Sequence, residues 1–167
     1  MDIPIFDGHN DTLERLYPYT EERVQEFLVR HTDGHIDLPR AREGGLAGGF
    51  FAVYAAAHPP GTHVPSKVVR TAAGYDVPLA APLDPVHAAR VSMAMTAGLF
   101  RLEAASAGQI KVARSVEEVA GCLQSGVLAA VLHFEGADAI DPELYLLDVL
   151  YQAGLRSLGV VWSRPNA

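Results

Sequence analysis

Two segments of the chain carry side chains that could bind a divalent metal ion where an apolar run ends. His9 and Asp11 follow a short run, and His133 and Glu135 close a longer one. In an extended chain, residues two apart project to the same face, so His9 and Asp11 could hold one ion through a nitrogen and an oxygen. The alternative is a polar turn in which Asp11 caps a helix starting at Thr12. The position at a strand end favours the metal ligand.

The pair His35 and Asp37 repeats this spacing in a different setting. No apolar strand precedes it, and the residues that follow, 38–43, resemble a short helix that ends at Gly44 and Gly45. An aspartate directly before such a helix is a favoured cap. We therefore predict that Asp37 caps this helix and that His35 and Asp37 bind no metal.

Glu135 closes an apolar strand, where an unpaired charge is costly. A metal ion would satisfy it, and the alternatives are hydration at the strand end or pairing with Arg156 or Arg164. His133 shares the face of Glu135 in a regular strand. A hydrogen-bonded interior histidine is favoured over a ligand there, and Asp138 is interpreted as a loop residue.

Imidazole and carboxylate ligands from separate strand ends indicate a metal-dependent hydrolase. Two metal ions that share one carboxylate can lower the pKa of a bridging water and polarise a carbonyl group. Hard oxygen ligands together with imidazole suit zinc. The single cysteine, Cys122, excludes an internal disulfide.

Apolar runs and helical segments alternate along the chain. The predicted strands are 3–6, 50–55, 110–113, 127–134 and 155–162. Capping residues predict helices after Asp84, Ser115 and Asp141. Segment 57–84 is an irregular excursion, with a solvated loop favoured over a lid carrying His58 and His63. The pattern predicts an α/β fold with a parallel sheet, either doubly wound or part of a (β/α)8 barrel, with its chemistry at the carboxyl ends of the strands.

Composition and charge narrow the class of protein further. A chain of 167 residues that is 49% hydrophobic can bury a core as a single domain, 1–167. The net charge of −7 has the wrong sign for a nucleic-acid footprint. The sequence shows no membrane-spanning segment and no signal peptide, so we expect a cytoplasmic protein with no membrane partner.

Four segments together resemble the renal (membrane) dipeptidase family of metallopeptidases in their order and spacing. They are 7–13, 34–40, 134–138 and 150–158, and the resemblance extends from Ile5 to Asn166. It implies a (β/α)8 barrel with two zinc ions that hydrolyses dipeptides, often as a homodimer. It further implies that His9 and Asp11 bind the first metal and that Glu135 bridges both.

Two departures from the family pattern shape the expectation for this chain. The family's remaining ligands, two histidines and an aspartate near the water, lie on later strands that this sequence does not contain. Trp162 stands where many members carry a substrate-contacting histidine, and it could line the substrate pocket. Because a (β/α)8 barrel needs about 200 residues or more, we expect the N-terminal five strands of an incomplete barrel, poorly soluble and inactive in isolation.

Two other functions remain open from the sequence. One is another metal-dependent amide or ester hydrolase on the same barrel. The other is a metal-free relative that keeps the cleft as a binding module.

Overall fold

The computed structural model describes residues 3–57 and 68–167, which form a parallel sheet with helices and a small antiparallel hairpin. The strands are β1 (Ile5–Asn10), β2 (Leu46–Val53), β3 (Val69–Thr71), β4 (Gly74–Asp76), β5 (Ile110–Val112), β6 (Leu128–Glu135) and β7 (Leu155–Gly159). The helices are α1 (Thr12–Leu16), α2 (Glu21–Leu28), α3 (Leu38–Glu43), α4 (Pro85–Ala105), α5 (Val116–Ser125) and α6 (Tyr145–Ala153).

The five-stranded sheet is parallel throughout, which confirms the predicted α/β class. β1 pairs with β2, and β2 pairs with nearly the whole length of β6. The other edge of β6 is shared, because β5 pairs with its beginning and β7 with its end. β5 therefore does not separate β2 from β6 in the sheet, although it lies between them in the chain.

Local signals in the sequence position most of these elements correctly. Asp84 caps α4 by accepting a hydrogen bond from the His87 amide at 2.8 Å. Ser115 caps α5, which ends at Gly126 in the left-handed region with φ 70°. Asp141 is also a capping residue, as predicted, but its helix α6 begins later, after Leu144 adopts φ 65°.

The strand predictions need three adjustments at their ends, one of which is that β7 ends at Gly159 and not at Trp162. β1 extends from Ile5 through the polar residues to Asn10, because its backbone continues to pair with β2 as far as Phe51. β2 begins earlier than expected, at Leu46, and includes two glycines. The excursion 57–84 contains the β3–β4 hairpin, while His58 and His63 lie outside the described residues.

The alternation of β6 assigns its two faces to different environments. Leu128, Ala130, Leu132 and Phe134 join the main core, which includes Leu13 of α1 and Leu99 of α4. Ala129 and Val131 lie on the opposite face in a smaller cluster with Cys122 of α5. His133 and Glu135 continue that second face toward the carboxyl end of the strand. None of the helices described for residues 3–57 and 68–167 has the length and apolar character needed to cross a membrane.

Candidate metal centre

The carboxyl ends of β1 and β6 bring together the three side chains that the sequence predicts as metal ligands. His9 Nε2 lies 3.2 Å from Asp11 Oδ1 and 3.5 Å from Glu135 Oε2. One potential ligand atom from each residue lies within 4.8 Å of the other two. No other group of three such side chains occurs in the described part of the chain. Asp11 and Glu135, which are 124 positions apart in the sequence, thus lie close together in the fold.

A bulge in β1 turns His9 toward β6. Asp7 pairs with Gly49 and Asn10 with Phe51, so three steps on β1 match two on β2. The buried Asn10 side chain stabilises this bulge by donating to Asp7 Oδ2 at 3.0 Å and to the Phe50 carbonyl at 3.2 Å. The meeting of His9 and Asp11 therefore comes from an irregular strand end, and not from the regular alternation on which the prediction was based.

Asp11 occupies the residue before α1, yet its carboxylate does not cap the helix. It accepts no hydrogen bond from the helix amides, and the Thr12 amide donates instead to Asn10 Oδ1 at 3.4 Å. The Asp11 carboxylate contacts His9 and is otherwise exposed to solvent. The capping alternative is thus excluded for this side chain, which is free to bind a ligand.

Glu135 is not neutralised by either arginine that the sequence offered as a partner. Arg156 donates to backbone carbonyls, and Arg164 pairs with Asp138. The side chain of Glu135 is only 23% exposed and its ion-pair contact is to His9. Within residues 3–57 and 68–167, no arginine or lysine pairs with Glu135, and a metal ion would satisfy a partly buried carboxylate in such an environment.

His133 lies beside the three-residue group but is engaged elsewhere. Its Nδ1 is 2.9 Å from the Ser157 hydroxyl, and its ring packs edge-on to His9 with centroids 5.5 Å apart. Burial, followed by the proximity of His9, lowers the pKa of His133 below its usual value. These contacts match the hydrogen-bonded interior histidine that the sequence favours.

Glu14 is a third acidic group near the centre, and it was not predicted from the sequence. It lies on α1, one turn after Asp11, and is partly buried. Burial raises the pKa of Glu14, and the nearby charges of Asp11 and Glu135 raise it further. The three-residue spacing from Asp11 on a helix was the available signal, because such residues share one helix face.

The second His-x-Asp pair has the structural role predicted for it. Asp37 Oδ1 accepts from the Arg40 amide at 2.8 Å and so caps α3. Asp37 Oδ2 accepts from the His31 amide at 2.9 Å and from Arg40 Nε at 2.6 Å. His35 is exposed and is not among the three converging residues.

Trp162 lies after β7, in a loop joined to the one that follows Glu135. The Gly136 amide donates to the Gly159 carbonyl at 3.1 Å, linking the two loops. The Trp162 ring packs against Tyr54 with centroids 4.8 Å apart, while 55% of the residue remains exposed. The structure thus places an aromatic pair beside the loop that continues from the candidate ligand.

Comparison with known proteins gives consistent matches over nearly the whole chain. The sequence matches the membrane dipeptidase family (peptidase family M19) over residues 1–167. A protein of Acinetobacter calcoaceticus, uncharacterised and encoded in the PQQ-III 3′ region, is 34% identical over 165 residues, which are 98% of this chain and 50% of that protein.

Two solved structures share both sequence and fold with the chain. The dipeptidase AC, a metallopeptidase of family M19, is 41% identical with a TM-score of 0.83, over 98% of this chain and 44% of that one. A metallopeptidase from Rhodobacter sphaeroides, liganded with a phosphinate mimic of the dipeptide L-Ala-D-Ala, is 39% identical with a TM-score of 0.84, over 98% and 47%. The chain spans about half the length of these relatives. Because the family match covers residues 1–167 of the sequence, this chain belongs to the membrane dipeptidase family of metal-dependent hydrolases, peptidase family M19.

Proposed function

We propose that this chain contributes to a binuclear zinc dipeptidase in which His9 and Asp11 bind the first metal and Glu135 bridges both. The observation that carries the proposal is the convergence of these three side chains from two strand ends, with ligand atoms within 4.8 Å of one another. Their position at the carboxyl ends of parallel strands is where enzymes of this architecture carry their chemistry.

The donor set fits zinc. One imidazole and two carboxylates are ligand types that catalytic zinc sites use, and such sites keep a position open for water or substrate. His9 and Asp11 are exposed, so solvent and substrate can reach them. When bound, zinc would supply Lewis acidity that activates a water and polarises the scissile carbonyl.

The residues around the centre would hold it in shape and form its walls. Asn10 fixes the bulge that directs His9, through its bonds to Asp7 and to the Phe50 carbonyl. The His133 ring packs edge-on against His9, with centroids 5.5 Å apart, and would restrict its rotation. Trp162 and Tyr54 would provide an apolar wall for the substrate.

A dipeptide is the substrate class that the relatives support. The Rhodobacter sphaeroides metallopeptidase is liganded with a phosphinate mimic of L-Ala-D-Ala, and it aligns with 98% of this chain.

The described residues hold a single group of three ligands, fewer than two metal ions require. We therefore propose that the isolated chain represents the first strands of a barrel, binds metal, and does not turn over dipeptides.

Zinc titration of the chain tests the ligand assignment. Glu135→Gln exchanges a bridging carboxylate for an amide, and we expect zinc affinity to fall by at least about 100-fold, measured by competition with a chromophoric chelator. Glu143→Gln removes an exposed carboxylate away from the three-residue group and serves as the control. Equal zinc affinity of the Glu135 and Glu143 variants would refute the bridging role.

A further inference from the structure

A second polar cluster lies at the same end of the sheet and has no assigned role in metal binding. Arg164 Nε donates to Asp138 Oδ1 at 2.9 Å, and the two side chains are only 5% and 6% exposed. The two remaining guanidinium nitrogens donate to the Tyr54 hydroxyl, at 3.3 Å, and to the Ala55 carbonyl. The sequence analysis interpreted Asp138 as a loop residue and did not foresee this buried ion pair.

The guanidinium joins the ends of three strands. Tyr54 and Ala55 follow β2, Asp138 follows β6, and Arg164 itself follows β7. A planar group with donors pointing in several fixed directions suits such a junction, whereas a lysine would offer only a point charge. The Arg164 contacts therefore fix the relative positions of the loops after these three strands.

Its burial and bonding exclude Arg164 from binding a substrate carboxylate directly. Its charge is already neutralised by Asp138, and each of its three nitrogens donates a hydrogen bond inside the protein. Opening this pair would leave Asp138 as an uncompensated buried charge, which is strongly destabilising. The cluster is thus a fixed structural unit.

This unit contacts the aromatic pair beside the loop that follows Glu135. The guanidinium carbon of Arg164 lies 5.1 Å from the Tyr54 ring centroid, and Tyr54 also packs against Trp162, with ring centroids 4.8 Å apart. Arg164 follows Trp162 by two residues, so one backbone segment carries both side chains. A Cβ on Gly136, the residue after Glu135, would lie 3.8 Å from the Trp162 Cβ.

We propose that Arg164 and Asp138 are positioning residues that hold the Trp162 indole against Tyr54 as a wall of the substrate pocket. The proposal rests on the dipeptidase function proposed above, because the pocket is defined by the metal centre. Arg164 and Asp138 contact neither the metal ligands nor the substrate in it. They act only through the two aromatic side chains.

The single tryptophan makes the proposal directly measurable, because all tryptophan fluorescence of the chain comes from Trp162. Arg164→Met removes the charge and the fork of donors. We expect the acrylamide quenching constant and the amplitude of fast indole motion in time-resolved anisotropy to rise by about twofold. Zinc affinity should stay within about threefold of wild type, because the ligands lie on β1, the residue before α1, and β6.

Arg40→Met is the matched control. It breaks another arginine–aspartate pair, in which Asp37 is fully buried, at the start of α3, where the other partners are His31 and Gly34 and not the segment of Trp162. Arg40→Met should leave the fluorescence of Trp162 unchanged even where it lowers stability. If both variants alter the indole equally, the effect is general destabilisation and the positioning role is wrong.

Asp138→Asn covers the case in which Arg164→Met does not fold. It keeps an oxygen that can accept from Arg164 Nε and removes only the charge, so we expect a smaller change in the same direction. Unchanged quenching and anisotropy in a folded Arg164 or Asp138 variant would overturn the proposal. Its failure is separable from failure of the proposed function, which would show instead as loss of zinc binding in the wild-type chain.

Discussion

The two His-x-Asp pairs of this chain have the same residues at the same spacing and opposite roles. Asp37 is fully buried and accepts three hydrogen bonds, from the His31 and Arg40 amides and from the Arg40 side chain. Asp11 is exposed and bonds to no backbone amide, leaving its carboxylate facing His9. The His35–Asp37 pair belongs to the framework, and the His9–Asp11 pair is available for chemistry.

The two aspartates differ in whether their carboxylates accept hydrogen bonds from the amides of the following helix. At α3, Asp37 performs the capping itself, so its oxygens are occupied. At α1, the Asp11 carboxylate accepts from no helix amide and faces His9 instead. The role of a His-x-Asp pair therefore depends on whether backbone amides donate to its aspartate, and not on the two residue types alone.

The largest expected effect that separates the pairs is on stability, at Asp37. Asp37→Asn would direct an amide NH2 toward two donors, the His31 amide and Arg40 Nε, in place of an acceptor oxygen. We expect the free energy of unfolding to fall by about 3 kcal/mol, measured by denaturant titration. Zinc affinity should remain within about threefold of wild type, because Asp37 is outside the three-residue group.

Asp33→Asn is the control for this substitution, since Asp33 is an exposed aspartate in the same loop. It should change the free energy of unfolding by less than about 0.5 kcal/mol. If Asp37→Asn were equally harmless, the hydrogen bonds to Asp37 would not contribute to stability as the geometry indicates.

At Asp11 we expect the opposite result, a large loss of zinc affinity with little change in stability. Asp11→Asn replaces an anionic ligand by a neutral amide, and we expect zinc affinity to fall by about 100-fold, in the same chelator competition. The free energy of unfolding should change by less than about 0.5 kcal/mol, because no backbone amide donates to Asp11. Substantial destabilisation with intact zinc binding would reverse the roles assigned to the two pairs.

The sequence predicts much of the fold because its local signals agree with one another. Asp37, Asp84 and Ser115 each precede a helix that they cap in the structure, as their positions indicate. The sharing of one β6 edge by β5 and β7 was not predictable, because strand pairing is a long-range property that no local pattern encodes.

In the candidate site, too, the features that could be predicted follow from local sequence and the others depend on long-range contacts. His9, Asp11 and Glu135 could be proposed from strand ends, because the carboxyl ends of the strands in one parallel sheet lie at the same edge. The pairing of Arg164 with Asp138 could not be predicted from the sequence, because the two residues are 26 positions apart and an arginine in one loop can reach several carboxylates. The bulge of β1 was equally hidden, because it depends on register against β2.

The smallest expected effect is a difference in acid sensitivity between wild type and Asp37→Asn. Burial alone would raise the pKa of Asp37, but the hydrogen bonds from the Arg40 and His31 amides and the pairing with Arg40 lower it below its usual value. A carboxyl group with a lower pKa in the folded state stabilises the protein above its unfolded pKa, about 3.9. That contribution is lost as the pH falls through the folded value.

The stability gap between wild type and Asp37→Asn should therefore narrow as the pH is lowered from neutrality to below about 4. Denaturant titrations of both proteins across this range measure it. Other carboxyl groups with lowered pKa values, such as Asp141 and Glu118, are present in both proteins and cancel in the difference. A gap that stays constant with pH would mean that Asp37 stabilises the fold through its shape and hydrogen bonds alone.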